Sequence, residues 1–338
     1  MVVALGANLG IAASKFAAFA ITGSASLLAE AAHSVADSGN QLLLLLGRKR
    51  ATHEETEEHQ FGYGGERYFY GFIVAVVLFT VGALFSVFEG IERIRQPEQV
   101  TSPFVAFGVL FIAIALEGLS LRTAVRESRP ARRSASWRSF ASFIRRAKAP
   151  ELPTVVLEDT AALAGLVFAL AGVALTEATG DSRWDGGGSI AIGLLLACVA
   201  AILAVEMKSL LIGESASPDV EAEIVAAIED GPDVHRVIHL RTLHVGPDTL
   251  LVAAKIAVAG SDSAARVVAD IDAAERRVRA VVPIAEHVFL EPDLYRADRL
   301  DLADPAVRAA RRPASLLARG RAAIRARRPL DARRIGRG

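Results

Sequence analysis

Residues 26–47, SLLAEAAHSVADSGNQLLLLLG, constrain the fold more than any other stretch. The segment is apolar and long enough to cross a bilayer, yet it carries Glu30, His33 and Asp37. An ionisable group at membrane depth costs about 2.5–3.5 kcal/mol on insertion scales, so it rarely persists there without a task. His33 and Asp37 stand four apart and share one face of a helix, one turn from each other. An imidazole nitrogen and a carboxylate oxygen so placed can grip a single divalent transition metal. In a soluble helix the same spacing reads as a surface pair; inside an apolar span it points to a metal or proton site.

Five further segments approach the ~20 residues that span a bilayer, at about 2–22, 69–91, 103–123, 153–176 and 187–209. With 52% hydrophobic residues the chain is too apolar for an ordinary soluble domain. Loop charges set the expected orientation. Arg48, Lys49, Arg50 and Arg67 follow span two, and Arg126, Arg129, Arg132, Arg133, Arg138, Arg145, Arg146 and Lys148 lie between spans four and five. The opposite loops are poorer in base, so both termini are expected on the cytoplasmic side. The Ala- and Arg-rich composition suggests a bacterial inner membrane. No cleavable signal peptide is expected, because the chain starts almost inside its first span. The one cysteine, Cys198, rules out an internal disulfide and is expected to pack as a small buried hydrophobe.

Other polar residues in the spans are candidates by the same cost argument. Asn8 in span one is a further donor or a helix–helix hydrogen bond. Glu30, Asn40, Asn8, Arg67 and Glu117 are candidates for a proton path or a gate, with Glu89 a further acid near the end of span three. Span five opens PTVVLEDTAALAG, in which Pro153 suits a helix start and Glu158 and Asp159 follow. Adjacent residues point about 100° apart on a helix, so at most one of the two should face His33 and Asp37 squarely. Asp159 is preferred, with Glu158 as a second donor or proton carrier. The acidic run around His53 and His59 reads as a solvated loop. GYGG lacks the Lys-Ser/Thr of a phosphate loop, which excludes nucleotide binding.

From Gly213 the composition turns soluble. Ser217-Pro218 starts an amphipathic helix to about Glu229, and two strands flank a Gly246-Pro247-Asp248 turn. A second amphipathic helix and a third strand, AEHVFLEP, follow. The expected fold is therefore an all-α six-helix transmembrane domain, residues 1–212, and a small cytosolic α+β domain of order αββαβ, residues 213–293. Residues 294–338, rich in Arg, are expected to be a disordered tail that associates with anionic lipid at most, with no nucleic-acid role.

SASLLAEAAHSVADSGNQ, FGYGGERYFYGF and VVLEDTAALAG resemble the cation diffusion facilitator family, most closely the branch that contains human zinc transporter nine. The resemblance covers residues 1 to about 292. It implies a homodimeric, proton-coupled exporter of divalent metal, zinc first and manganese, iron or cobalt next. Its soluble domain would help to dimerise the chain. No prosthetic group and no enzymatic activity are implied.

Carried onto this sequence, the family motif places metal ligands at His33, Asp37 and Asp159. Many members carry a further histidine four before the last of these, where this chain has Val155. Glu158, Asn8, Asn40 or water must then complete the set, and an oxygen-rich set suits manganese, iron or cobalt as well as zinc. In the soluble domain, Ile238 and Ala254 stand where metal-binding relatives place histidine. His239, His244 and His287 lie off those positions and are expected to be structural. Metal and protons would compete for the same ligands. The alternative is a non-transporting membrane scaffold or metal sensor with a relic site.

Overall fold

The computed structural model describes residues 2–98, 100–134, 143–144, 147–231, 234 and 236–294, without the side chains of residues 2–8 and 131–134. The chain divides into two compact units, Met1–Gly213 with Val245–Asp248, and Glu214–His244 with Thr249–Gly338. The tail expected over 294–338 lies outside the described residues apart from Leu294.

The first unit is helical. Its elements are α1 (Val2–Thr22), α2 (Ala25–Arg50), α3 (Glu66–Arg95), α4 (Pro103–Ser134), α5 (Glu151–Thr179) and α6 (Arg183–Ile212). Four of them, α3 to α6, contain stretches long and apolar enough to cross a membrane, and α1 adds a shorter apolar stretch, Leu9–Thr22. At 26 residues α2 has the length, but its polar stripe dilutes its hydropathy. Helices are the natural solution here, because each satisfies its own backbone groups where no water is at hand.

The expected spans fall inside these helices, which run on into the interfacial residues at either end. Helix α5 starts at Glu151 rather than Pro153, with Pro150 at the cap. Pro153 is accommodated in the first turn, where its missing N–H has no intrahelical acceptor to serve. Residues Leu78–Leu84 of α3 form a π-helical segment. The extra residue per turn opens a local gap in the backbone ladder, and the Thr80 hydroxyl donates to the Val76 carbonyl at 2.8 Å.

Side chains sort by surroundings. Leu27, Leu78, Leu110, Leu166, Ile192, Leu196 and Leu203 fill the bundle interior. Phe88, Phe104, Ile112, Leu194 and Val205 are exposed on its outside, which suits a hydrocarbon environment. Cys198 also lies exposed, so the expected buried position is corrected: a small side chain is as stable against lipid as inside the bundle. Helices α3 and α6 approach closely at Gly90, where a Cβ would stand 2.6 Å from the Gly186 carbonyl oxygen.

The end of the bundle that holds the α1–α2 turn is tied by polar groups. Asp185, fully buried in the first turn of α6, accepts from the Ser24 hydroxyl at 2.7 Å, the Ala25 N–H at 2.5 Å and the Ser26 N–H at 3.3 Å. It thereby caps a helix from which it is separated by 160 residues, and satisfies the unpaired donors at the start of α2. Arg93 adds hydrogen bonds to the Gly23 and Glu98 carbonyl oxygens.

The second unit comprises α7 (Pro218–Glu229), β1 (Arg236–His244), β2 (Leu250–Val258), α8 (Ala264–Val281) and β3 (His287–Leu294), the expected αββαβ order. Ser217 and Ser263 cap the two helices through their hydroxyls. Strands β1 and β2 form an antiparallel hairpin, and β3 joins β2 in parallel after the α8 crossover. Ile224, Ile228, Leu240, Val252, Ile256, Ala274 and Val278 make an apolar core.

Candidate metal centre

Helix α2 carries Glu30, His33, Asp37 and Asn40 at spacings of three and four, which stack on one face. Glu30, His33 and Asn40 are 1% exposed or less. The stripe is poorly satisfied. Both ring nitrogens of His33, Asp37 Oδ1, Asn40 Oδ1 and Glu30 Oε1 are buried without a hydrogen-bond partner. His33 Nδ1 and Asp37 Oδ1 stand 3.4 Å apart, beyond a good hydrogen bond. Buried polar atoms normally have partners, so several orphans on one face mark a place prepared for something else.

A small cavity of about 10 Å³, room for roughly one water-sized occupant, opens beside this face. Its walls are Ile11 of α1, Ser34, Asp37 and Gln41 of α2, Glu117 of α4, and Val155, Glu158 and Asp159 of α5. Four carboxylates therefore surround one ion-sized space. Two are held by neighbours: Asn40 Nδ2 donates to Glu158 Oε1 at 2.8 Å, and the Ser120 hydroxyl donates to Asp159 Oδ2 at 2.9 Å. Like charges this close repel unless a cation or protons intervene, and the low dielectric of the bundle strengthens that repulsion.

The structure thus brings together Asp37, Glu117, Glu158 and Asp159. The adjacent pair on α5 both line the cavity, where helix geometry alone favoured one; the side chains are long enough to converge from directions about 100° apart. His33 touches the group through Asp37 and is not itself on the cavity wall. Among the described residues, no three His, Cys, Asp or Glu side chains are gathered tightly enough to hold a metal in this conformation. The side chain of Asn8 lies outside the described residues.

Glu30 is paired. Lys15 of α1, itself 1% exposed, donates to Glu30 Oε2 at 3.0 Å and to Ser34 Oγ at 2.8 Å. A Cβ at residue 165 would run into Glu30 Oε1, so Gly165 lets α5 pass directly against this carboxylate. Arg67, at the start of α3, is bidentate to Glu151 at 2.5 and 2.9 Å and donates to Asp248 at 2.6 Å. Asp185 falls outside the sixth span expected at 187–209; an acid two residues before that apolar window was the only signal in the sequence.

In the second unit, His239 lies across from Lys255 and Glu291, whereas His287 pairs with Leu251. Four strand residues separate the two rows, roughly 13 Å at strand rise, so one ion cannot bridge them. Ala254 is buried in the core. Lys255 meets Glu291 at 3.1 Å and Asp293 at 3.5 Å, and the hydrogen bond to Glu291 raises its pKa above the ordinary lysine value.

Residues 1–212 match a family model described as the cation efflux transmembrane domain. The chain is 34% identical over 232 residues to the "Proton-coupled zinc antiporter SLC30A9, mitochondrial" of Xenopus laevis, covering 69% of this chain and 41% of that protein. The Homo sapiens protein of the same name is 32% identical over the same shares. The chain thus spans about two fifths of the length of these curated relatives. Metal tolerance protein C4 of Arabidopsis thaliana is 27% identical over 75% of this chain and 55% of its own length. A solved MamM CTD structure is 26% identical, covers 23% of this chain and 92% of that one, and has a TM-score of 0.22. Since the family model covers well over half of the residues, the chain belongs to the cation efflux family.

Proposed function

We propose that this protein moves a divalent transition-metal cation across a membrane in exchange for protons, by alternating access. The observation that carries the reading is the ion-sized cavity walled by Asp37, Glu117, Glu158 and Asp159 inside an otherwise apolar bundle. His33, Asp37 and Asp159 serve as principal ligands in this reading and Glu158 as a further donor. His33 requires a local rearrangement to join them, which is consistent with a site that assembles in only one of its two access states. Zinc is the first substrate, in keeping with the names of the SLC30A9 relatives.

Coupling follows from ligand chemistry. Carboxylates and imidazole bind metal only when deprotonated, so each metal ion that enters displaces protons, and protons arriving from the other side expel the metal. Opening the cavity alternately to the two faces then lets a proton gradient drive the metal outward. In this reading Glu30, Asn40, Asn8 and Arg67 serve the proton path or the gate. The functional form is a homodimer joined through the second unit, in a bacterial inner membrane with both termini cytoplasmic. The chemistry is transport rather than catalysis.

The test is metal-driven proton movement in sealed proteoliposomes. Zinc added on one side should be taken up with counter-movement of protons, and Asp37→Ala or Asp159→Ala should reduce both at least tenfold while the protein elutes as the parent does. Transport at the parental rate in either variant places the site elsewhere. Absence of flux in parent vesicles that still bind zinc favours the scaffold or sensor reading.

A further inference from the structure

Glu117 is the one acid on the cavity wall that comes from α4. That helix packs Ala106, Leu110 and Ala113 into the bundle and turns Phe104, Phe111, Ile112 and Leu119 outward, as residues facing lipid should be. A carboxylate on such a helix is costly, and no side-chain hydrogen bond offsets the cost at Glu117. Its neighbour one turn on, Ser120, is bonded to Asp159, which locks the register of α4 against α5 beside the cavity. Across that space Val155 offers only methyl groups. A second feature points to a missing occupant. His33, 1% exposed, has both ring nitrogens unpartnered, one of them 3.4 Å from the Asp37 oxygen on the same wall.

We propose that Glu117 is a direct ligand of the transported cation, supplying from α4 the donor that Val155 cannot give from α5. This rests on the transporter reading above and makes it more specific. With Glu117 the set becomes four carboxylates to one imidazole, and such oxygen-rich surroundings favour harder divalent cations. The site is thereby broadened from zinc toward manganese. The same ligand would also tie α4 to α2 and α5 when metal is bound.

The test uses the full-length protein with zinc and manganese as probes. Binding is measured by calorimetry in detergent, and initial uptake rates in proteoliposomes. Glu117→Gln should weaken binding of manganese at least tenfold and of zinc by less, raising the half-saturating concentration for uptake correspondingly. Glu117→Asp, which keeps the charge with a shorter reach, should fall between the two. Unchanged affinity for both metals in Glu117→Gln, with only the maximal rate lowered, overturns ligation and leaves a packing role. If Glu117→Gln fails to fold, parental affinity in Glu117→Asp for both metals overturns it equally. Because binding is read without transport, loss of affinity in a chain that moves no metal sinks the transporter reading and keeps the ligand.

Discussion

The two units handle polar groups differently. In the second unit Ile224, Ile228, Val252, Ile256 and Val278 form an apolar core. The few polar groups buried beside it are close pairs such as Thr242 donating to Glu221 at 3.0 Å, and Lys255, Glu291 and Asp293 meet one another at the surface. In the first unit large apolar residues face outward as well as inward, while Lys15, Glu30, His33, Asn40 and Asp185 are sealed inside beside the apolar cluster. Where water is the outer solvent, polar groups are cheapest at the surface. Where lipid is, they gather in the interior and pair with each other. The pairing is complete around Asp185 and incomplete around His33 and Asp37. That contrast separates polar groups that hold the bundle together from polar groups that the bundle leaves without partners.

The contrast can be broken by experiment, and the largest effect on stability should come from the apolar core. Ile228→Ala removes a fully buried side chain from the second unit and should cost about 3 kcal/mol. Hydrogen exchange resolved by segment should show faster opening of 214–294 with little change in α1 to α6. Equal acceleration in both units would mean that they unfold as one. The next effect is polar and belongs to the first unit. Asp185→Ala leaves the Ser24, Ala25 and Ser26 donors without their acceptor and should cost about 2 kcal/mol, read as a lower melting temperature in detergent and faster exchange at the start of α2. No change there would show that water replaces the carboxylate and that the cap is dispensable.

The smallest effect sharpens the comparison within the first unit. Val155→His adds a nitrogen donor to the cavity wall without disturbing a held polar group. Tetrahedral sites with nitrogen ligands suit zinc, so the ratio of zinc to manganese uptake should rise severalfold over the parent whatever the absolute rate. Side-by-side initial rates with the two metals measure it. An unchanged ratio with both rates lowered would show that Val155 only packs.

Much of this was legible in the sequence for a physical reason. Hydrophobic length and period are set by residues within a turn or two of each other, and they survive folding unchanged. They placed α1 to α6 to within a few residues except at the end of α4, which runs on to Ser134 where the span was expected to end at 123, and gave the αββαβ order of the second unit. They also put His33 and Asp37 on one face of α2 and marked Glu117, Glu158 and Asp159 as acids that a membrane helix does not carry idly.

What only the tertiary structure decided depends on how helices distant in sequence cross. Asp185 caps α2 across 160 residues, Asn40 reaches Glu158 across 118, and Ser120 reaches Asp159 across 39. No local pattern encodes those partners, because they follow from helix crossing angles and from close approaches such as Gly165 against Glu30 and Gly90 against Gly186. Likewise, the sequence listed the polar residues of the bundle, but packing chose which of them share a wall. It set Glu117 beside Asp37 and Asp159, left His33 just behind that wall, and committed Lys15 to Glu30, since a charge buried in a low dielectric takes the partner that the surrounding helices bring within reach.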